Sequence, residues 1–449
     1  MKQDRQHILT ASVKRLLRRN ATRNLRKIVN KAYGVDLSIL FRELSLQDQL
    51  MLFDMIKNGE QKGILLSELD EDLLVPLVGG MEQAKIVAVL EAMPNDDVAD
   101  LLHDLPEETA DGLLKLMKED SDAVENLMGY EADTAGGIMN PDFIALNQEI
   151  SAKDAIKQIQ EEFADVEMPF YLYAVDEHGK LVGVASLRQL VVVKPQTPLK
   201  AFMDSEVICV QTHMDQEEVA KLVARYDILA VPVVDDSNQL VGIVTVDDVI
   251  DIFREEATED ILKMAGAGEE FVETKSIFKS TRIRLPWLFA SCLGGIFAFY
   301  VIGHFESSLS RVTYLAAFIP VIMGMGGNIG TQSSTIVVRG LATGRLSIRD
   351  IWMVVGKELT VGFILGMVYG VFIGSVAQAQ YSMLMLALAV CLAVICSMSV
   401  AALVGSCVPM LLARMNVDPA VATGPFVTTA IDIVSVYFYF TIATQLLGV

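Results

Sequence analysis

The chain of 449 residues is expected to fold as a multi-domain protein: a cytosolic all-α superhelical N domain, an α/β pair, an amphipathic connecting helix and a polytopic α-helical membrane domain of five transmembrane helices. Three observations predict this. Uncharged apolar runs crowd into the last third, a middle segment occurs twice, and acidic residues concentrate in the part ahead of the apolar runs. An apolar content of 52% is high for a wholly soluble chain.

Residues 1–35 carry ten basic side chains against one acidic, with Val13, Leu16, Leu17, Leu25, Ile28 and Val29 interspersed. This reads as a basic amphipathic arm, able to lie on anionic lipid or to dock on the acidic body. An Arg-rich transit peptide ranks third, and no cleavable signal peptide is expected, because no apolar core follows the basic residues. Residues 36–138 should form the helical acidic domain, from short helices that restart on one pattern, "PNDDVADLL" at Pro94 and "PEETADGLL" at Pro106. Each puts proline at a first helical position, acids in the first turn and a Leu pair seven and eight residues on. That repetition suggests a small superhelix with a solvated acidic face.

The duplication spans 139–202 and 203–253. "YAVDEHGKLVGVASLRQLV" from Tyr173 returns as "PVVDDSNQLVGIVTVDDVI" from Pro232, and the copies open alike at "MNPDFIAL" and "MDSEVICV". Each copy reads as strand, helix, strand, turn, strand and helix. The connecting helix, 247–272, overlaps the end of the second copy. Val246, Ile250, Phe253, Ala257, Ile261 and Met264 mark one face, and Asp247, Asp251, Glu255 and Glu259 recur at every fourth residue on another. Like charges stacked at that spacing destabilise a helix unless something neutralises them.

The membrane domain, 273–449, should span at 285–303, 312–338, 359–377, 383–412 and 419–447. The polar break "QAQYS" divides the third span from the fourth. Lys275, Lys279, Arg282 and Arg284 precede the first span, and Arg339, Arg345, Arg349 and Lys357 lie between the second and third, so both loops should be cytoplasmic. A multi-pass protein of the cell membrane follows, amino terminus inside and carboxy terminus outside. Cys292, Cys391, Cys396 and Cys407 fall in spans and read as small apolar fillers.

Residues 324–334, "GMGGNIGTQSS", put glycine and hydrogen-bonding groups inside a membrane span. On a helix Asn328, Thr331, Gln332 and Thr335 form one polar stripe, while Gly326, Gly330 and Ser334 form a small-residue stripe on the nearly opposite face. One face packs, and the other must meet protein or water rather than lipid. Pro320 and the glycines suggest a break in this helix. Gly362, Gly366, Gly370 and Gly374 have no polar companions and read as packing alone.

Asp432 reads as the one ionisable side chain well inside any span, at roughly 2.5–3.5 kcal/mol for an unpaired carboxylate at mid-membrane. Thr428 and Thr429 precede it on the same face and are expected, with Asn328, Thr331, Gln332 and Thr335, to line the pore, and Gly424-Pro425 can open the backbone before them. No membrane-embedded Lys or Arg is at hand, so a mobile cation is the expected counter-charge; the alternative is a protonated Asp held between helices. The donors here are all oxygen, which favours hard cations, Mg²⁺ first and Ca²⁺ as the competitor. Two chains facing across an axis would offer two copies of Asp432 to one hydrated ion.

Residues 36–284 hold 20 Lys/Arg against 51 Asp/Glu, a surface that repels itself unless cations screen or bind it. Nucleic acid is therefore not an expected partner. The duplicated module resembles the CBS domain, and in that family the pattern Gly242-x-x-Thr245-x-x-Asp248 commonly holds a nucleotide ribose. That implies ATP or another adenine nucleotide as a cofactor candidate at Thr245 and Asp248, although the first copy, Ser186-x-x-Gln189, lacks the Asp. The whole order of domains, with "PVIMGMGGNIGTQSS" and "DPAVATGPFVTTAID", resembles the MgtE family of bacterial magnesium channels. The resemblance implies a homodimer in the bilayer, a pore lined by the second and fifth spans, and Asp432 as the carboxylate for the Mg²⁺ in that pore. It also implies regulatory Mg²⁺ sites, matched here to Asp247, Asp248, Asp251, Glu255, Glu259, Asp260, Glu217 and Asp227. Negative feedback would follow: plentiful Mg²⁺ bridges the acidic parts and holds the pore closed.

The rivals are a cation-coupled Mg²⁺ exchanger and a membrane Mg²⁺ or nucleotide sensor that does not transport. A pump is disfavoured, since no GxxxxGK[ST] loop appears, and no nucleophile–base set suggests an enzyme.

Overall fold

A computed structural model describes residues 2–118, 120–163, 170–266 and 277–448. It divides into two compact units, Met1–Arg254 and Glu255–Val449.

The first unit opens with helices α1 (Lys2–Leu17) and α2 (Thr22–Val29). Val13, Leu25 and Val29 are fully buried in one core with Leu37, Leu40 and Phe41. Docking on the protein, not insertion into lipid, is thus the fate of the arm's apolar face, because its side chains complete a core that the next helices leave open. Lys14 adds an ion pair to Glu43 at 2.6 Å.

Eight short helices follow: α3 (Gly34–Phe41), α4 (Leu46–Phe53), α5 (Gly59–Ser67), α6 (Glu71–Gly79), α7 (Gln83–Leu90), α8 (Asn95–His103), α9 (Glu107–Leu114) and α10 (Ser121–Leu127). Pro94 and Pro106 take the N-cap position with extended backbone (ψ 148° and 135°), one residue earlier than expected, and the acids that follow occupy the first turn. Their negative charge there complements the helix dipole.

The duplication is visible as two three-stranded sheets. In the first, β1 (Ala145–Asn147) runs parallel to β2 (Tyr171–Val175), which pairs antiparallel with β3 (Leu181–Ser186); α11 (Ala152–Glu162) connects the first two and α12 (Leu187–Val192) follows the third. The second repeats this with β4 (Val210–Gln211), α13 (Gln216–Tyr226), β5 (Ala230–Val234) and β6 (Leu240–Thr245). Matching registers, Ala174 with Gly183 and Val233 with Gly242, precede the same irregularity in both copies. The copies exchange their lead-in segments. Asn140 bridges Ile243 of the second sheet, while Asp204 bridges Val184 of the first. Gly183 and Gly242 leave room for Met203 and Met139 at these crossings.

Helix α14 (Val246–Met264) continues from β6, and the division between the units falls within it. Val249 and Ile252 are its buried residues, whereas Ile250, Phe253 and Ile261 of the expected apolar face are exposed. The first turns of α14 close the second α/β copy, and that packing, not the average over the whole helix, selects the buried side. Residues 267–272 of the expected connecting helix lie outside the described residues.

Among the described residues of the second unit, five helical segments are long and apolar enough to cross a membrane: Ile277–His304, Thr313–Ala342, Ile348–Tyr381, Leu384–Arg414 and Pro425–Leu447. They comprise α15 (Ile277–His304), α17 (Ile319–Ala342), α18 (Ile351–Tyr381), α19 (Leu384–Arg414) and α21 (Pro425–Leu447), with short α16 (Glu306–Arg311) and α20 (Ala420–Thr423) between. Helix α19 is central, packing on α17, α18 and α21. The expected break at Pro320 does not occur. Proline sits in the first turn of α17, where no backbone N–H is missed, and the helix runs unbroken through its glycines. Gly362, Gly366, Gly370 and Gly374 are all buried against the backbone of α19, as close packing requires.

Candidate functional site: the α17–α21 face and the acidic corner

Small residues bring α17 against its neighbours. A Cβ on Gly326 would meet the hydroxyls of Ser397 at 2.7 Å and Ser435 at 2.8 Å, and one on Gly330 would collide with Ile431. Ser397 donates to Ser435 at 2.7 Å, so a buried polar link joins α19 to α21 beside α17. Gly326, Gly330 and Ser334 are buried, while Asn328, Thr331 and Gln332 are exposed and Thr335 is half-buried. The two stripes of this helix therefore have the opposite environments their composition demands.

Asp432 follows Ile431, the residue seated on Gly330. It is half-buried, and among the described residues no cation and no hydrogen-bond donor reaches it. Gly424 (ψ −131°) separates α20 from α21, which opens the backbone just before Thr428. Thr428 donates to the carbonyls of Gly424 and Pro425, each at 3.2 Å, so its hydroxyl serves its own first turn. Thr429 turns its methyl toward Gly294 of α15, a contact that leaves no space for a larger residue at 294.

The carboxyl end of α14 adjoins this break. A Cβ on Gly424 would meet the carbonyls of Met264 and Lys263 at 3.4 and 3.5 Å. Lys263 pairs with Asp418 at 2.9 Å and also with Glu259, and Asp418 accepts from the N–H of Ala420 at 2.8 Å. Asp418 and Lys263 were invisible as partners in the sequence, being far apart along the chain.

A second buried carboxylate was missed altogether. Glu358, 5% exposed, lies within α18 and accepts a hydrogen bond from Ser333 of α17 at 2.8 Å. Asp432 is thus not the only ionisable group well inside a span. The apolar run counted from Leu359 stopped one residue short, and the helix actually begins at Ile351. Glu358→Ala should leave the Ser333 hydroxyl unsatisfied and lower stability by about 1–3 kcal/mol. Equilibrium unfolding in detergent checks this, with Glu358→Gln, which keeps an acceptor oxygen, expected to lose less.

In the first unit, Thr245 and Asp248 form a cap. The Thr245 hydroxyl donates to Asp248 at 2.5 Å and its N–H donates to the same oxygen at 3.3 Å, the counterpart of Ser186 with Gln189 in the first copy. The sequence pattern matched to a ribose site is therefore also a helix-start device. Burial lifts the Asp248 carboxyl to about 6, opposed by the Thr245 hydrogen bonds and reinforced by Asp247 and Asp97. Burial likewise raises Asp97, at the start of α8, with Asp247 and Glu68 adding to it. Asp97 completes an acidic corner with Asp247 and Asp248; its signal in the sequence was only the doubled acid of "PNDDVADLL".

Because the folded value of Asp248 lies above the ordinary carboxylate value, its contribution to stability is full below about pH 4 and is lost as pH rises through about 6. Asp248→Asn cannot carry the buried charge. In Mg²⁺-free buffer it should slow amide exchange at 245–252 relative to the unmodified chain near pH 7.5, a difference that fades toward about pH 5.

The other matched acids are dispersed. Glu217 pairs with Lys221 at 2.8 Å and Asp251 with Arg254 at 2.9 Å, while Asp227 takes the left-handed cap of α13. Glu255 and Asp260 lie on α14 and are engaged within the chain. Among the described residues no three His, Cys, Asp or Glu side chains converge on one metal position.

Comparison with known proteins adds identity to this geometry. Residues 319–442 match the family described as a divalent cation transporter (MgtE), 34–133 the MgtE intracellular N domain, and 135–195 and 199–255 the CBS domain. Over 431 residues, 96% of this chain and 95% of the relative, it is 34% identical to the magnesium transporter MgtE of Bacillus subtilis (strain 168). It is 35% identical to the magnesium transporter MgtE of Thermus thermophilus over 98% of each chain. Among solved structures, the cytosolic domain of the Mg²⁺ channel MgtE in complex with ATP is similar at a TM-score of 0.51 and 34% identity, covering 54% of this chain and 99% of that one. The soluble part of a magnesium transporter is similar at 0.50 and 28%, covering 56% and 99%.

Proposed function

The chain belongs to the MgtE family of magnesium transporters, and from that premise we propose that it conducts Mg²⁺ through a pore shared by two copies and closed by cytosolic Mg²⁺. One observation carries the reading: α17 leaves its polar stripe uncovered while burying its glycine stripe, beside a helix whose Asp432 has no partner among the described residues. At membrane depth such a face needs a neighbour other than lipid. A second copy across an axis, enclosing water, supplies it.

In this reading Asn328, Thr331, Gln332 and Thr335 line the path, and paired Asp432 carboxylates hold a hydrated ion. Mg²⁺ suits few carboxylates and retained waters, whereas Ca²⁺ asks for more direct oxygens. Thr428 and Thr429 shape the helix that carries Asp432, one through its first turn and the other through α15.

The basic loops that flank the spans support an amino-terminal unit in the cytoplasm and a carboxy terminus outside. The feedback sites draw on Asp247, Asp248, Asp251, Glu255, Glu259, Asp260, Glu217 and Asp227, with Asp97 joining the first two. Their dispersion in one protomer fits ions that bridge elements as the closed state forms; such an ion acts by binding the closed state more tightly than the open one. An adenine nucleotide at Thr245 and Asp248 is a further ligand of the CBS pair, supported by the ATP complex of the related cytosolic domain.

The test is Mg²⁺ entry into proteoliposomes loaded with a Mg²⁺-sensitive dye. Entry should be passive, reverse with the electrochemical gradient of Mg²⁺ alone, and fall when millimolar Mg²⁺ is placed on the side of the amino-terminal unit. A reversal point set by Na⁺ or H⁺ would instead establish the exchanger.

A further inference from the structure

We propose that the amino-terminal arm holds a binding site for a compact phosphate-bearing anion, in the concavity between α2 and the segment after α4. This cavity, of about 480 Å³, is lined by Thr22, Arg23, Arg26, Lys27, Asn30 and Lys57. Arg23, Arg26 and Lys27 lie at i, i+3 and i+4, one face of α2, and Lys57 closes the opposite side.

The cavity is built, not incidental. Asn30, at the end of α2, donates to the carbonyls of Arg26 and Met55, each at 2.8 Å, and accepts from the N–H of Lys57 at 3.0 Å. Gln61 donates to the carbonyls of Val29 at 2.9 Å and Ala32 at 2.5 Å. These bonds clamp the chain around residue 57 to the helix, and Lys57 lines the cavity together with the other three cations. Beneath them Leu25 and Val29 anchor the helix in the core, so the charged face is held outward.

Nothing described neutralises it. Arg23, Arg26, Lys27 and Lys57 form no ion pair among the described residues, although acids abound in this unit and nearby Lys14, Arg42 and Lys85 each have one. Ala21, the N-cap of α2, offers no side-chain cap, and the helix has no acid in its first turn. Its dipole, the Arg23 N–H and the Thr22 hydroxyl are therefore open to an anion as well. Arg23 and Lys27 repel each other at i,i+4 until an anion lies between them.

The chemistry selects phosphate. Guanidinium forks match its oxygens bidentately, and about 480 Å³ holds a phosphate ester as readily as the phosphate alone. An acidic protein partner would meet the repulsion of the body beyond the arm, which a compact ion escapes. The source is either a soluble phosphate ester or the headgroup of an anionic lipid.

The experiment follows amide exchange at residues 22–30 of the full chain in nanodiscs of neutral lipid, without Mg²⁺. Two probes are added separately: inorganic pyrophosphate, and vesicles of phosphatidylglycerol compared with phosphatidylcholine. One probe or both should slow exchange there, and the apparent affinity should fall at least about tenfold when Arg23, Arg26 and Lys57 are all changed to Gln. Removing equal charge elsewhere, at Lys115, Lys118 and Lys153, should leave the protection intact. Protection by pyrophosphate assigns the anion to a soluble ester, and protection by phosphatidylglycerol alone assigns it to lipid. Lys57→Gln by itself, outside the helix, should weaken binding by a smaller factor and serves if the triple variant fails to fold. Equal weakening in the control variant, or no protection by either probe, overturns the proposal.

Discussion

Asp432→Ala is expected to reduce Mg²⁺ flux in proteoliposomes by at least about 100-fold while the protein still purifies as a folded species. The magnitude follows from Coulomb's law: a unit charge about 4 Å from another contributes roughly 4 kcal/mol at the effective dielectric of a protein site. A divalent ion between two such carboxylates loses more than that when both are removed, whereas rate changes tenfold for each 1.4 kcal/mol, approximately. Asp432→Asn should fare little better, because it preserves shape and hydrogen bonding but not charge. Neither variant should unfold the chain, since among the described residues nothing in the protomer pairs with this carboxylate. Undiminished flux in Asp432→Asn would remove this carboxylate from the ion path and end the reading of the pore built on it.

Gly405→Leu is expected to abolish both folded yield and flux. A Cβ at 405 would lie 3.0 Å from the Cα and carbonyl carbon of Gly330 and closer still to its carbonyl oxygen, all of them backbone atoms of α17. Overpacking ordinarily costs about 1–3 kcal/mol because side chains can shift, and here the obstacle cannot rotate away. The α17–α19 crossing must widen, which also displaces Gly330 from Ile431 and with it the setting of Asp432. Gly356→Ala is the contrast: nothing described lies within 4 Å of the added atom, so yield should be nearly unchanged. Size-exclusion profiles of the two variants in detergent separate the outcomes. A monodisperse, active Gly405→Leu protein would show that the crossing is not as close as described.

Much of this site was legible in advance for a definite reason. The stripes of α17 follow from positions three and four apart, and a helix imposes that geometry wherever it lies. Gly424-Pro425 announced a backbone opening by local chemistry alone. Pro320 misled because a proline's effect depends on where the helix starts: an interior proline breaks, a first-turn proline initiates. Glu358 escaped notice because hydropathy runs end at charges, and a charge that is buried looks the same in sequence as one that marks a boundary.

The basic arm shows the limit most plainly. Its amphipathic spacing was compatible with lipid or with protein, because a pattern of side chains defines a face and says nothing of what covers it. Membrane spans, the doubled α/β fold, the charge asymmetry and the lone position of Asp432 in its helix are all properties of neighbouring residues, so composition and periodicity sufficed for them. The docking of Val13, Leu25 and Val29, the Ser333–Glu358 bond, the Lys263–Asp418 pair, the Gly330–Gly405 contact and the corner of Asp97 with Asp248 join residues distant along the chain. Which distant groups meet depends on how whole elements pack, and that is settled by shape and buried area summed over many side chains, a quantity no single stretch contains.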